Sequence, residues 1–282
     1  MSINKDFTSR LIIGVSLSLI GLFLCWYSWT TFFLVWSFFA VFAMKEYLKM
    51  VRDAGSRANF PAAFLMLLAL MGTAVAAGRN HQIFNTIFAG FMLITAGLYS
   101  VYSKTGREKY NALFITGFGA MYIGGAMGCL ISLRDFSDAN IPGGFSGFSM
   151  FFMVPLVGAW ASDTGAYLTG RFIGKDRFSQ VSPNKTVEGV IGALFAGFTA
   201  TVAFGEFAGF PRHLMLFLAV LIPAVSLCGD LFESAIKRRC MVKDSGAMLG
   251  AHGGVLDRFD SVFFSIPVTY FAVYFLHVYS YI

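Results

Sequence analysis

Apolar residues run along this chain in long, nearly unbroken blocks separated by short polar connections. Nine blocks can be marked, at roughly 11–27, 30–44, 61–78, 83–102, 112–132, 149–169, 188–208, 213–232 and 262–280. Most are near the ~20 residues that carry an α-helix across a hydrocarbon core. The ten-residue alternating segments of a membrane β-barrel are absent from the pattern. In lipid every backbone N–H and C=O needs an internal partner, so apolar blocks of this length predict helices. The expected fold is therefore all-α, a polytopic transmembrane helical bundle of about nine spans. The first two blocks are short and close together, which predicts a helical hairpin.

Composition supports a chain solvated by lipid. Of 282 residues, 57% are hydrophobic and 13% charged, and 33 are Phe; an ordinary soluble domain carries about 25% charged residues. A soluble domain needs polar side chains to cover its outside, and this chain has too few. Lys5 and Arg10 ahead of the apolar stretch Leu11–Cys25 have the layout of a signal peptide. No small-residue cleavage pattern follows, so the stretch is expected to be a retained first span. Cys25, Cys129, Cys228 and Cys240 show no CxxC spacing and lie mostly in apolar stretches. They read as packing residues, with neither a disulfide framework nor a zinc site.

The formal net charge of +6 could point to nucleic acid or anionic lipid, but its distribution assigns it to topology. With the N-terminus in the cytoplasm, the cytoplasmic connections carry every Lys and Arg of the 21 except Arg79, Arg134 and Arg212. One error in the span count would invert every later loop and destroy that bias. The nine-span reading puts the C-terminus outside and needs no nucleic acid as partner. Chemistry-bearing residues gather beyond position 160. The chain thus divides into N-terminal scaffold helices, 1–150, and a C-terminal catalytic region, 151–282, with cytoplasmic loops at 170–187 and 233–261. Gly143, Gly144 and Gly147 make the external loop near 140 flexible, and no role attaches to it.

Ionisable residues at membrane depth are costly and by default mark function. Asp163 and Asp230 are the two that stand out, each expected near the cytoplasmic end of its span. A wetted helix-end carboxylate is an equally simple reading of Asp163 alone. Asp230 has more telling neighbours: Asp230, Glu233, Ser234 and Lys237 fall at i, i+3, i+4 and i+7, one face of a helix. Such a polar stripe faces protein or water. It is followed by Lys237-Arg238-Arg239, Lys243-Asp244, Gly246 and then His252-Gly253-Gly254-Val255-Leu256-Asp257-Arg258-Phe259-Asp260.

A cytoplasmic basic run is ordinarily a topology anchor. Here cations alternate with Asp244, Asp257 and Asp260, which a lipid-binding patch would not favour. Cations, carboxylates and glycines together suit a phosphate–metal site: carboxylates hold Mg²⁺, and Lys and Arg neutralise phosphate. His252 could serve acid–base chemistry, though a structural histidine is the simpler reading. Upstream, Ser182-Pro183-Asn184-Lys185-Thr186 with Glu188 reads as a turn and helix start, Thr186 being the N-cap. A helix N-terminus beside Lys185 is also a good phosphate receptor. No GxxxxGK[ST] loop is present.

At these residues the sequence resembles the phosphatidate cytidylyltransferases, or CDP-diacylglycerol synthases. Their signature reads Ser-x-apolar-Lys-Arg, four residues, Lys-Asp, a small residue, then His-Gly-Gly-apolar-x-Asp-Arg-apolar-Asp. Ser234, Ile236, Lys237, Arg238, Lys243, Asp244, Gly246 and His252 to Asp260 match it at every constrained position. Asp163-Thr164-x-Ala166-Tyr167 and Ser182-Pro183-x-Lys185-Thr186-x-Glu188-Gly189 are similar to upstream patterns of the family. Asn184 stands where many members have a second Lys. The resemblance covers residues 160–262 well, and 1–150 only in hydropathy.

The resemblance implies CTP + phosphatidate → CDP-diacylglycerol + pyrophosphate, with Mg²⁺, alone or with a second cation. It implies Asp230 and Asp257 as metal ligands and catalytic residues, with Asp260, Asp244 and Asp163 supporting them. Lys237, Arg238, Lys243 and Lys185 would contact phosphate, Ser234 and Ser182 would donate hydrogen bonds, and His252 and Arg258 would border the substrate. A multi-pass protein of the cell inner membrane, with its site facing the cytoplasm, surrounded by membrane lipids and assembled as a homodimer, is the expected setting. A polyprenol kinase would lack parts of the signature. A secondary transporter would show broken spans and functional charges in both halves.

Overall fold

The computed structural model describes residues 27–78, 80–136, 150–246, 248 and 253–278. Eight long helices account for most of them: α1 (Trp29–Asp53), α2 (Phe60–Ala77), α3 (His81–Thr105), α4 (Glu108–Asp135), α5 (Met153–Ile173), α6 (Val187–Ala208), α7 (Arg212–Arg239) and α8 (Leu256–Val278). They overlie the second to ninth apolar blocks. The first block, with its retained-span reading and proposed hairpin, and the loop of Gly143, Gly144 and Gly147 lie outside the described residues. Seven of the helices, all but α5, are long and apolar enough to cross a membrane. Large side chains such as Leu93, Phe195 and Phe207 are about three-quarters exposed, as expected where lipid is the solvent. The chain is an all-helical integral membrane protein.

Local sequence explains where these helices begin and stop. Ser28 Oγ accepts from Thr31 N at 3.1 Å to start α1, and Asn59 Oδ1 accepts from Ala62 N at 3.0 Å to start α2. Thr186 Oγ1 accepts from Gly189 N at 3.1 Å, so the N-cap expected for α6 is formed. Gly209 closes α6 in the left-handed region at φ 71°.

Several helices outrun their apolar blocks. The α1 helix continues to Asp53 and α7 to Arg239, while α8 begins at Leu256. The expected loop 233–261 is accordingly only the connection 240–255. The polar stripe after Asp230 continues the helix because its side chains find partners on the helix surface. Ten residues of α5 follow Asp163 and nine of α7 follow Asp230, about 15 Å of helix.

Helices α5 and α6 pack closely through small residues. A Cβ on Gly192 would strike Thr169, and one on Gly165 would come within 2.6 Å of the Gly192 carbonyl oxygen. The α1 helix lies against the start of α8, with Phe259 against Trp36 and Phe39 at ring-centroid distances of 5.7 and 5.1 Å. A π-helical turn, Ala120–Gly125, interrupts α4; such turns commonly re-aim side chains at functional positions. Of the cysteines, Cys129 is buried as expected, Cys228 is exposed on α7 and Cys240 is half-buried; all three are free thiols.

Candidate active site

Helices α5, α7 and α8 bring five carboxylates into one layer. On α7, Gly229 allows the helix to touch α8: a Cβ there would lie 2.7 Å from the Asp260 carbonyl oxygen and 3.2 Å from the Ser261 Cα. That contact sets Asp230 and Asp260 at one level. Asp163 joins them from α5 by accepting a 2.9 Å hydrogen bond from Ser261 Oγ. Asp260, 9% exposed, accepts from the Ser261 N–H at 2.7 Å.

Two lysines enter this layer. Residues 174–186 fold back on themselves, with Phe178 N donating to Lys185 O at 2.8 Å and Val187 N to Asp176 O at 2.9 Å. The fold-back delivers Lys185 Nζ to Asp230 Oδ2 at 2.5 Å. Lys237 lies one helical turn after Glu233 and bridges two carboxylates, Glu233 at 2.6 Å and Asp257 at 2.8 Å. Asp257 also accepts from Ser245 N, at 3.1 and 3.0 Å to its two oxygens, and from Gly254 N at 3.0 Å. It is a carboxylate held in a fixed direction by the loop. Ser234 Oγ lies 3.4 Å from Asp230 Oδ1, a long hydrogen bond one turn along the stripe.

The remaining predicted residues are placed differently. Lys243 and Asp244 are exposed on the 240–255 connection, next to Ser245, and neither has a hydrogen bond or ion pair among the described residues. Arg238 is exposed and its Nη1 donates to Val242 O, in the connection after α7, at 3.3 Å. Arg258 is exposed in the first turn of α8. Ser182 is half-buried, its carbonyl accepting from Lys185 N at 3.1 Å in the turn that presents the lysine. His252 falls outside the described residues.

Three further residues belong to this neighbourhood. Glu233 was visible on the stripe, yet its complete burial gives it a weight the spacing did not suggest. Tyr122, on the π turn of α4, is 7% exposed with its hydroxyl unpaired among the described residues, in the field of Asp260, Glu233 and Asp230. Glu46 of α1 reaches Leu256 N at 2.9 Å and Ser245 Oγ at 3.3 Å. Its neighbours Lys45, Lys49 and Arg52 marked that stretch only as the basic end of a span. The sequence clue was the acid itself at the edge of an apolar block.

Carboxylates outnumber ammonium groups in the layer. Asp163, Asp230, Glu233, Asp257 and Asp260 are met by the ammonium groups of Lys185 and Lys237. Carboxylates in excess, ranging from buried Glu233 and Asp260 to exposed Asp163, attract cations. No group of three or more His, Cys, Asp and Glu among the described residues forms a ready metal cage. Mg²⁺ does not need one, since it keeps several waters and uses one or two carboxylates plus substrate phosphates. The all-oxygen donor set thus fits that ion. Beside Tyr122 and Phe264 opens an apolar cleft of about 670 Å³, running along α8 past Phe271 to Leu276.

Carboxylates and lysines that α5, α7 and α8 bring together, with a glycine-bearing connection beside them, make an arrangement suited to phosphate chemistry. The family model described as "Cytidylyltransferase family" matches residues 8–276, and the chain belongs to that family. It is 33% identical over 244 residues to a phosphatidate cytidylyltransferase of Staphylococcus haemolyticus (strain JCSC1435), covering 85% of this chain and 88% of that protein. A phosphatidate cytidylyltransferase of Bacillus subtilis (strain 168) is 36% identical over 188 residues, covering 66% of this chain and 65% of that one. One of Staphylococcus saprophyticus is 32% identical over 234 residues, covering 81% and 84%.

Proposed function

We propose that this protein transfers the CMP group of CTP to phosphatidate, releasing CDP-diacylglycerol and pyrophosphate, as a step of membrane phospholipid synthesis. The observation that carries this reading is the excess of carboxylates over lysines where α5, α7 and α8 meet, beside an apolar cleft. The full signature from Ser234 to Asp260 and the relatives' names support it. A phosphatidate oxygen attacks the α-phosphorus of CTP, the new P–O bond forms, and the bond to the bridging oxygen of the leaving pyrophosphate breaks with its electron pair. The phosphate is already an adequate nucleophile, so the protein's work is positioning and charge neutralisation.

Asp230 and Asp257 would hold Mg²⁺, with Asp260, Asp163 and Asp244 as further oxygen donors to one cation or two. Lys237 Nζ, Ser245 N and Gly254 N already make two contacts to each Asp257 oxygen, so a cation would share those oxygens with these donors. Bound Mg²⁺ would neutralise charge on the phosphate oxygens. Lys185 and Lys237 orient Asp230 and Asp257 and offer charge to phosphate, with Arg238 and Lys243 at the exposed rim and Arg258 beside them. Ser234 and Ser182 would donate hydrogen bonds, and His252 would border the substrate. The apolar cleft beside Tyr122 offers the acyl chains a path into lipid. Nine spans, with the N-terminus and the site in the cytoplasm and the C-terminus outside, follow from the Lys and Arg distribution. Location in the cell inner membrane and pairing as a homodimer go with the same reading.

The test is pyrophosphate release by the purified protein given CTP, with and without phosphatidate, then with excess EDTA. Release requiring both substrates and stopping with EDTA is expected. Release without phosphatidate, or unchanged in EDTA, would overturn the assignment.

A further inference from the structure

Glu46 lies on α1, 199 positions before Ser245 and 210 before Leu256, and is 8% exposed. Its Oε2 accepts from the backbone N–H of Leu256, the first residue of α8, and from Ser245 Oγ. Both partners lie beside Asp257. Ser245 N donates to both Asp257 oxygens, and Leu256 is its chain neighbour. One carboxylate therefore ties the connection after α7 to the start of α8, and a carboxylate at a helix N-terminus is favoured by the helix dipole.

Glu46 also explains two glycines of the signature. A Cβ on Gly246 would strike Glu46 Oε1, and a Cβ on Gly254 would lie 2.6 Å from Glu46 Oε2 and strike Ser245 Oγ. The backbone is packed onto this side chain with no space for a methyl group. Phe259 against Trp36 and Phe39 holds α1 and α8 together alongside the polar link. Glu46 Oε1 is buried and unpaired among the described residues.

We propose that Glu46 is a positioning residue for the reaction, clamping Ser245 and Leu256 so that Asp257 faces its ligands in one orientation. It touches neither substrate nor metal in this role. The inference rests on the proposed function for its kinetic arm and on geometry alone for its structural arm.

The full-length purified enzyme carrying Glu46→Ala should lose about 10²-fold in kcat for pyrophosphate release, the cost of a misplacement near 1 Å. The KM for CTP should change less than about threefold, because binding groups remain. Trypsin cleavage after exposed Lys243 should accelerate more than about tenfold as the connection loosens. Glu46→Gln keeps an acceptor for Leu256 N–H and should restore kcat to within about tenfold of wild type and return slow cleavage. A role in bulk stability alone would instead lower the amount of folded protein at unchanged turnover per folded molecule. That outcome, wild-type kcat in Glu46→Ala, or a Gln variant as impaired as Ala would each overturn the proposal. Should Glu46→Ala fail to accumulate, Ser245→Ala carries the test: several-fold faster cleavage at Lys243 supports the clamp, and unchanged cleavage overturns it. If wild type itself releases no pyrophosphate, the functional reading fails while the cleavage comparison still decides the clamp.

Discussion

Replacing Lys237 by Met tests the electrostatics of the site in a way that separates stability from activity. Lys237 Nζ lies 2.6 Å from Glu233 and 2.8 Å from Asp257, and the three side chains are 13%, 1% and 12% exposed. At an effective dielectric of about 20, each contact represents roughly 6 kcal/mol of gross attraction. Most of that offsets the cost of removing the charges from water, several kcal/mol per ion. Removing the lysine leaves the desolvation cost of Glu233 in place and cancels its compensation. Breaking a buried pair on one side in this way costs about 3–5 kcal/mol. Asp257 suffers less, because Ser245 N and Gly254 N still donate to it.

The assay is a double-mutant cycle in detergent or bilayer, with unfolding followed by loss of helical signal. Lys237→Met should be destabilised by about 3–5 kcal/mol, and adding Glu233→Gln should recover more than half of that. Turnover should stay low in both variants, because Asp257 has lost the ammonium that faces it. A Lys237→Met protein as stable as wild type would refute the reasoning. So would a double variant no more stable than the single one, since the loss would then not come from an uncompensated Glu233.

Two further outcomes follow from the same geometry and from the proposed topology. Asp257→Asn should abolish CDP-diacylglycerol formation while the protein remains folded, measured by product formation and by the thermal transition; wild-type turnover would remove Asp257 from the site. For orientation, Met248→Cys and a cysteine near Gly143, each in a background without native cysteines, should differ in reactivity to an impermeant thiol reagent. The position near Gly143 should react from outside intact cells and Met248→Cys only after lysis. Met248, 40% exposed, is a better site than Gly246, where any side chain meets Glu46.

Much of the site was legible because its residues are close in sequence. Asp230, Glu233, Ser234 and Lys237 repeat at helical spacing, and helix geometry alone places them on one face. The Lys237–Glu233 pair and the Asp230–Ser234 contact are what that spacing predicts. The N-cap at Thr186 was equally local, since a hydroxyl three residues before a backbone N–H needs no tertiary information. The ends of α7 and α8 were less legible, because hydropathy marks where apolar residues stop. A helix stops where its backbone loses partners, and here the polar stripe carried α7 on to Arg239.

By itself, then, the sequence determined the all-helical membrane character, the family and the helical stripe of Asp230, Glu233, Ser234 and Lys237. Each of these is a property of composition or of residues within a few turns of one another. Only the tertiary structure decided which acid meets which base. Lys185 reaches Asp230 across 45 positions, Ser261 reaches Asp163 across 98, and Glu46 reaches Leu256 across 210. Those pairings depend on how helices pack, through close approaches at Gly229 and Gly192 that a hydrophobic pattern cannot encode. The first half of the chain looked like scaffold because an isolated acid near a span end carries no spacing signal. Folded, that acid is the residue onto which the signature loop is packed.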